Sequence, residues 1–143
     1  MNSLPTQTHK IRTTARNEMV EVTDHLRQVV SRRNILEGML VLFVPHTTAA
    51  VTINENADPD VKSDMLAKLS ELVPQRERYY RHGEGNSDSH VKSAMVGQSA
   101  TVLVEAGQLV LGRWQGVYFC EFDGPRDREL FVKPVVFRPR GGD

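Results

Sequence analysis

The run Leu40-Val-Leu-Phe-Val44, closed by Pro45, constrains the fold more than any other stretch of the chain. A continuous apolar segment of this length reads as a buried strand, and the proline ends its ladder by removing a donor. His46 therefore stands where a strand empties into a loop. Ala49–Asn54 reads as the partner strand across the Pro45–Thr48 connection, so His46 lies at one end of a short apolar segment and Asn54-Glu55-Asn56 at the other. Both ends can carry chemistry.

The same periodicities extend along the chain. Thr6–Thr14 reads as an edge strand and Met19–Val22 as a short second one. Thr23 is placed to cap a helix whose face is Leu26, Val29 and Val30, with Asn34 and Gly38 closing it. Asp58-Pro59 starts a second helix with the stripe Val61, Met65, Leu69, Leu72 and Val73, stopped by Pro74. Ser87 or Ser89 caps a third, short one through Val91–Val96, ended by Gly97. Ala100–Glu105 and Gln108–Gly112 form a hairpin across Ala106-Gly107, Trp114–Phe122 alternates as a half-buried strand, and Asp123-Gly-Pro turns into Glu129–Phe137. With strands dominant and two or three short helices inserted, the class is α+β, with mostly antiparallel sheets curling into a distorted barrel or sandwich. One domain spans 1–143, with 138–143 as a flexible polar tail.

Eighteen Lys plus Arg balance 18 Asp plus Glu, and no basic cluster exceeds Arg32-Arg33, which argues against a sequence-independent nucleic-acid surface. The single Cys120 allows no internal disulfide, the N-terminus carries no charged-then-apolar signal, and no apolar run reaches membrane-spanning length. A cytoplasmic protein without membrane attachment is expected. Arginines outnumber lysines, which suits bidentate recognition of anionic ligands such as phosphorylated small molecules.

Three of the five histidines, His46, His82 and His90, fall in polar loops marked by glycine or proline. Three neutral imidazoles could hold a divalent ion such as zinc with a position open; the competing reading is loop histidines bonded to backbone or water. Glu55, between Asn54 and Asn56, is a candidate for proton transfer or for orienting a ligand histidine, whereas Asp58 belongs to the helix start. Gly83 and Gly85 suit tight turns, and Glu84 and Asn86 lie between two candidate ligands. Trp114 and Gln115 would form a pocket wall that stacks on a ring and reads its edge, or else Trp114 is core. Glu121, Asp123, Arg126 and Arg128 would be either an ion-paired turn or an arginine clamp on phosphate; Glu121 and Arg126 rank above the other two. Cys120 reads as core, and His9 and His25 have no comparable company.

The blocks His46-Thr-Thr-Ala…Asn-Glu-Asn-Ala-Asp-Pro-Asp-Val61, His82-Gly-Glu-Gly-Asn…His90 and Leu111-Gly-Arg-Trp-Gln…Glu-Phe-Asp-Gly-Pro-Arg126 resemble the YjbQ family over most of the chain. The resemblance implies a distorted two-sheet barrel, a homotrimer, and a secondary thiamine-phosphate-synthase activity joining a pyrimidinylmethyl diphosphate to a thiazole phosphate. In that reading His46, His82 and His90 hold zinc or magnesium, Arg126 and Lys92 neutralise phosphate, Glu55 or Glu84 manages protons, and Trp114 packs on a ring. Asn54, Asn56, Asn86, Gln115, Glu121 and Arg128 would contact substrate. The alternatives are a metal-dependent hydrolase of a phosphorylated or heterocyclic metabolite and a non-catalytic trimeric metal or metabolite binder.

Overall fold

The computed structural model describes residues 1–139 and 141 and contains two antiparallel sheets with three helices. The strands are β1 (Asn2–Ser3), β2 (Gln7–Arg12), β3 (Glu18–Glu21), β4 (Ile35–Phe43), β5 (Ala49–Glu55), β6 (Ser99–Glu105), β7 (Gln108–Leu109), β8 (Gln115–Glu121) and β9 (Asp127–Pro139); the helices are α1 (Thr23–Arg32), α2 (Pro59–Leu72) and α3 (Ser87–Val96). The larger sheet has the order β1-β9-β4-β6-β7, with β2 also on β9, and the smaller one is β3-β8-β5. The two sheets form separate layers rather than a closed barrel.

The apolar run of the sequence is the second half of β4, which lies between β9 and β6. Leu40 and Leu42 are fully buried, and truncating such a leucine to alanine costs roughly 2–5 kcal/mol. One core cluster draws on both sheets and on α1 through Leu26, Val29 and Val30, the face that helical spacing predicts. β4 starts four residues earlier than expected, so Gly38 lies inside it rather than closing α1. A Cβ on Gly38 would sit 2.2 Å from the Val135 carbonyl oxygen, beside a register shift between β4 and β9, so only glycine fits.

Several local expectations change for tertiary reasons. β5 does not pair with β4; it crosses to the smaller sheet and pairs with β8, making Pro45–Thr48 a bridge between layers. Val22, not Thr23, occupies the cap position of α1, because the Thr23 hydroxyl is engaged by Val117 N–H and Glu21. Asn86 precedes α3, which places His90 in a helix rather than a loop. β8 is buried from Gly116 to Glu121 instead of alternating, as a central strand covered on both faces. Asp58 and Pro59 start α2 as expected, but the helix buries no residue and leaves Leu72 58 % exposed. Arg138 and Pro139 belong to β9 rather than to a tail, while positions 140, 142 and 143 lie outside the described residues. No helix among the described residues is long and apolar enough to cross a membrane.

Candidate functional site

A hollow of about 760 Å³ opens where β4, the Pro45–Thr48 bridge, the start of α3 and the turn before β9 meet. His46, Thr47, Thr48, Glu84, Asn86, His90, Gln98, Asp123, Arg126 and Arg128 line it, with Phe43, Val44 and Pro45.

His46 owes its place to the end of β4. The last β4–β9 pair is Phe43 with Phe131, and beyond it the Glu129 N–H would lack an acceptor on that side. The imidazole supplies one: Glu129 N–H donates to His46 Nε2 at 2.9 Å. Burial, and then the nearby Arg128 guanidinium, lower the His46 pKa and keep the ring neutral. A neutral ring whose Nε2 accepts carries its proton on Nδ1, so His46 has a donor left and no free lone pair.

Arg128 is almost wholly buried. Its Nε donates to Glu121 Oε1 at 2.9 Å and its Nη2 to Glu121 Oε2 and to Thr48 Oγ1, the latter at 2.8 Å. Nη1 makes no hydrogen bond among the described residues, so one edge of the guanidinium remains for a ligand. Glu121 is fully enclosed behind it. Burial alone would raise the Glu121 pKa, but hydrogen bonds from Arg128, from Thr13 Oγ1 at 2.7 Å and from Asp123 N–H at 3.0 Å reverse the balance and lower it. The Thr13 hydroxyl also accepts from Arg126 N–H at 2.9 Å, tying both arginines to one buried group. Arg126 is half exposed and forks onto the Asp123 carbonyl and carboxylate at 2.8 and 3.0 Å. Asn86 Nδ2 holds the same carboxylate at 2.8 Å, and Asn86 Oδ1 is a buried acceptor with no partner among the described residues.

The hollow thus gathers His46, Glu84, Asn86, His90, Arg126 and Arg128 from the expected set, together with Asp123, which had ranked lower. Glu121 supports the hollow without lining it. His82 stands just outside, edge-on to His90 with ring centroids 5.6 Å apart and 3.6 Å from Glu84. Lys92 is elsewhere: it is buried against Asp88, Asn17 and Ser70, and Asp88 also takes a bidentate contact from Arg16 at 2.9 and 3.0 Å. Burial would raise the Asp88 pKa, yet these two cations lower it. Asn54, Glu55, Asn56, Trp114 and Gln115 are absent from the hollow, because they lie at the far end of β5 and the start of β8, which pairs with it there, a strand's length away, roughly 20 Å at 3.3 Å per residue. Trp114 is neither core nor pocket wall; it is 54 % exposed beneath Arg113.

Of the three histidines expected to hold a metal, His46 and His90 line the hollow and His82 stands beside His90. His46 Nε2 is engaged by Glu129, and among the described residues no group of three or more His, Cys, Asp or Glu side chains is placed to hold an ion. Sequence reasoning missed Thr48, Gln98 and Thr13. The partners of Thr48 and Thr13 lie some 80 to 113 residues away and no local pattern signals them, whereas the Gln98 amide donates to the nearby Ser93 carbonyl. Cys120 is core, as expected, and burial pushes its thiol up to about 12.

Residues 7–136 match the family model described as UPF0047 protein YjbQ-like. The UPF0047 protein YugU of Bacillus subtilis is 50 % identical over 127 residues, covering 89 % of this chain and 96 % of the relative. The UPF0047 protein MJ1081 of Methanocaldococcus jannaschii is 48 % identical, covering 89 % and 91 %. A crystal structure of a YjbQ/UPF0047 protein from Clostridium acetobutylicum superposes with a TM-score of 0.88 at 44 % identity, covering 90 % of this chain and 99 % of that one. With a solved structure from Aeropyrum pernix the TM-score is 0.87 at 32 % identity, covering 93 % and 99 %. The chain belongs to the UPF0047, YjbQ-like family.

Proposed function

We propose that the hollow binds a phosphorylated small molecule, and that the protein is a transferase of the thiamine-phosphate-synthase type. The observation that carries this reading is the convergence of three donors on one concave surface: the Nδ1–H of a neutral His46, the Arg128 edge left outside its Glu121 pairing, and the half-exposed Arg126. In the reaction, the C–O bond between the pyrimidinylmethyl carbon and the diphosphate breaks. The diphosphate leaves with the electron pair, and the thiazole nitrogen forms the new C–N bond. The nucleophile belongs to the second substrate, so the protein's task is to orient both partners and to stabilise the departing oxygens. Cys120, buried and with its pKa raised, fits a chain that forms no covalent intermediate through its thiol.

Two carboxylates, Glu84 and Asp123, line the hollow together with the two guanidiniums, and Glu121 lies behind. Because the charges on this wall are already balanced, it does not by itself offset a diphosphate. A divalent ion, magnesium or zinc, would come with that substrate, since the histidines do not form a resident site in one chain. The same balance favours a second reading, a non-catalytic binder of a less charged metabolite. We also infer a homotrimer with the hollow near a subunit boundary. The exposed Leu72, Val91 and Met95, on helices α2 and α3, are apolar surface that a neighbour would cover.

The test is formation of thiamine phosphate from the two phosphorylated halves with magnesium or zinc present, alongside light scattering. Arg126→Ala should depress turnover on the order of a hundredfold, more than it depresses thermal stability, if the arginine faces the leaving group. Product no greater than a no-protein control with either ion removes the synthase reading and leaves the binder.

A further inference from the structure

His46 and Arg128 are walls of two hollows, and the proposed function uses only one. The second, of about 500 Å³, lies along β2 and β9 and is otherwise lined by Lys10, Ile11, Arg12, Asp127 and Glu129. The two strands run antiparallel there, with Lys10 opposite Glu129 and Ile11 opposite Arg128. His46 and Arg128 therefore border both spaces. A reaction joining two phosphorylated halves needs a second phosphate held close to the first, and a compartment that shares a wall with the first hollow meets that requirement geometrically.

The two compartments differ in how their cations are paired. In the first, Arg126 is paired with Asp123 and Arg128 with the buried Glu121. In the second, Lys10 and Arg12 join Arg128 beside the carboxylates Asp127 and Glu129, and Arg128 remains paired with Glu121. Arg12 is paired with Asp127 at 3.4 Å, whereas Lys10 has no hydrogen bond or ion pair among the described residues and keeps all three of its donors. We propose that the second hollow is a phosphate subsite for a second substrate, with Lys10 as its free cation and with His46 and Arg128 as the shared wall beside which the two ligands meet. This rests on reading the first hollow as an anion site. Its size falls within the roughly 300–1,000 Å³ usual for small-molecule pockets.

Titration of the full chain with inorganic phosphate, followed by backbone amide NMR, separates the two sites. Two groups of amides should move with different midpoints, one around Thr47 and Asn86 and one across Lys10–Arg12. Arg126→Ala should weaken the first at least fivefold and spare the second, and Lys10→Ala should do the reverse; both side chains are exposed enough for the variants to fold. If the Lys10–Arg12 amides stay still while the first group saturates, or if Lys10→Ala leaves their midpoint unchanged, the second subsite is wrong and the first stands. If both groups share one midpoint and both variants weaken it alike, there is one site and the two-compartment proposal fails. If neither group moves, the reading of the first hollow falls as well.

Discussion

The two ends of β5 carry similar residue types and opposite structural roles. At the start of the strand, the Pro45–Thr48 bridge borders a large hollow. At its end, Asn54, Glu55 and Asn56 border none of the hollows described. The partners explain the difference. At the second end, Asn54 Oδ1 accepts from the adjacent Glu55 N–H at 2.7 Å and Gln115 Oε1 from Gly112 N–H at 2.7 Å, which is ordinary turn chemistry. The contacts that reach further are those of the Asn56 amide to Glu21 at 3.0 Å, of Asn56 N–H to the Trp114 carbonyl at 2.9 Å and of the Tyr118 hydroxyl to the Glu55 carbonyl at 3.2 Å, and of these only the first uses a side chain of the Asn54–Asn56 run. At the first end, His46, Thr48, Thr13 and Asn86 all bond to residues between 37 and 113 positions away. Polar residues that satisfy themselves locally leave little for a ligand, whereas a long-range network fixes donors around a space that no local segment fills.

The comparison breaks most visibly at Arg128. Arg128→Ala would leave Glu121 charged, enclosed and without its main partner, a loss expected to cost about 3–5 kcal/mol in a urea-unfolding experiment. A cost below about 1 kcal/mol would mean that the pair is not buried as described. Arg126→Ala, at a half-exposed pair, should change unfolding by no more than about 1 kcal/mol, and its main effect should be weaker phosphate binding.

Acid sharpens the contrast in two stages. The pKa values of His9, His25 and His46 are lowered from 6.5, in each case first by burial and then by a neighbouring charge: His25 for His9, Arg32 for His25 and Arg128 for His46. The unfolded chain takes up these protons below 6.5 before the folded chain does. The histidine contribution is therefore complete above that pH and declines as the pH falls through the lowered folded values. Glu121 and Asp88, lowered from 4.5 and 3.8, add a second loss below about 4.5. Urea midpoints measured from pH 8 to 3 should show both steps, and His25→Gln should shrink only the first. A flat profile between pH 7 and 5 would remove the histidine contribution.

The smallest effects belong to the far end of β5. Glu55→Gln and Trp114→Ala should each shift stability by about 0.5 kcal/mol or less and leave phosphate binding unchanged. If either weakens binding as much as Arg126→Ala does, that end must reach a hollow through a second copy of the chain, and the contrast drawn within one chain would not hold in the assembly.

The sequence alone determined the elements whose cause is local. The apolar run ended by Pro45 became the buried half of β4, Asp58-Pro59 began α2, Ala106-Gly107 turned a hairpin with both residues at positive φ, and the spacing of Leu26, Val29 and Val30 set the inward face of α1. The long motif strings were sufficient to indicate the family, and His46 and Arg126 stood out as site candidates. Only the tertiary structure decided that β5 leaves β4 for the other sheet, because β8 offers a partner seen only after folding. That crossing carried Asn54–Asn56 away from His46. Lys92 and Glu121 were likewise settled by neighbours distant in sequence: Lys92 by Asn17 and Ser70 as well as Asp88, and Glu121 by Thr13 as well as Arg128. A charged residue reads the same in sequence whether it faces a ligand or a buried counter-ion, since burial and pairing depend on which strands lie side by side.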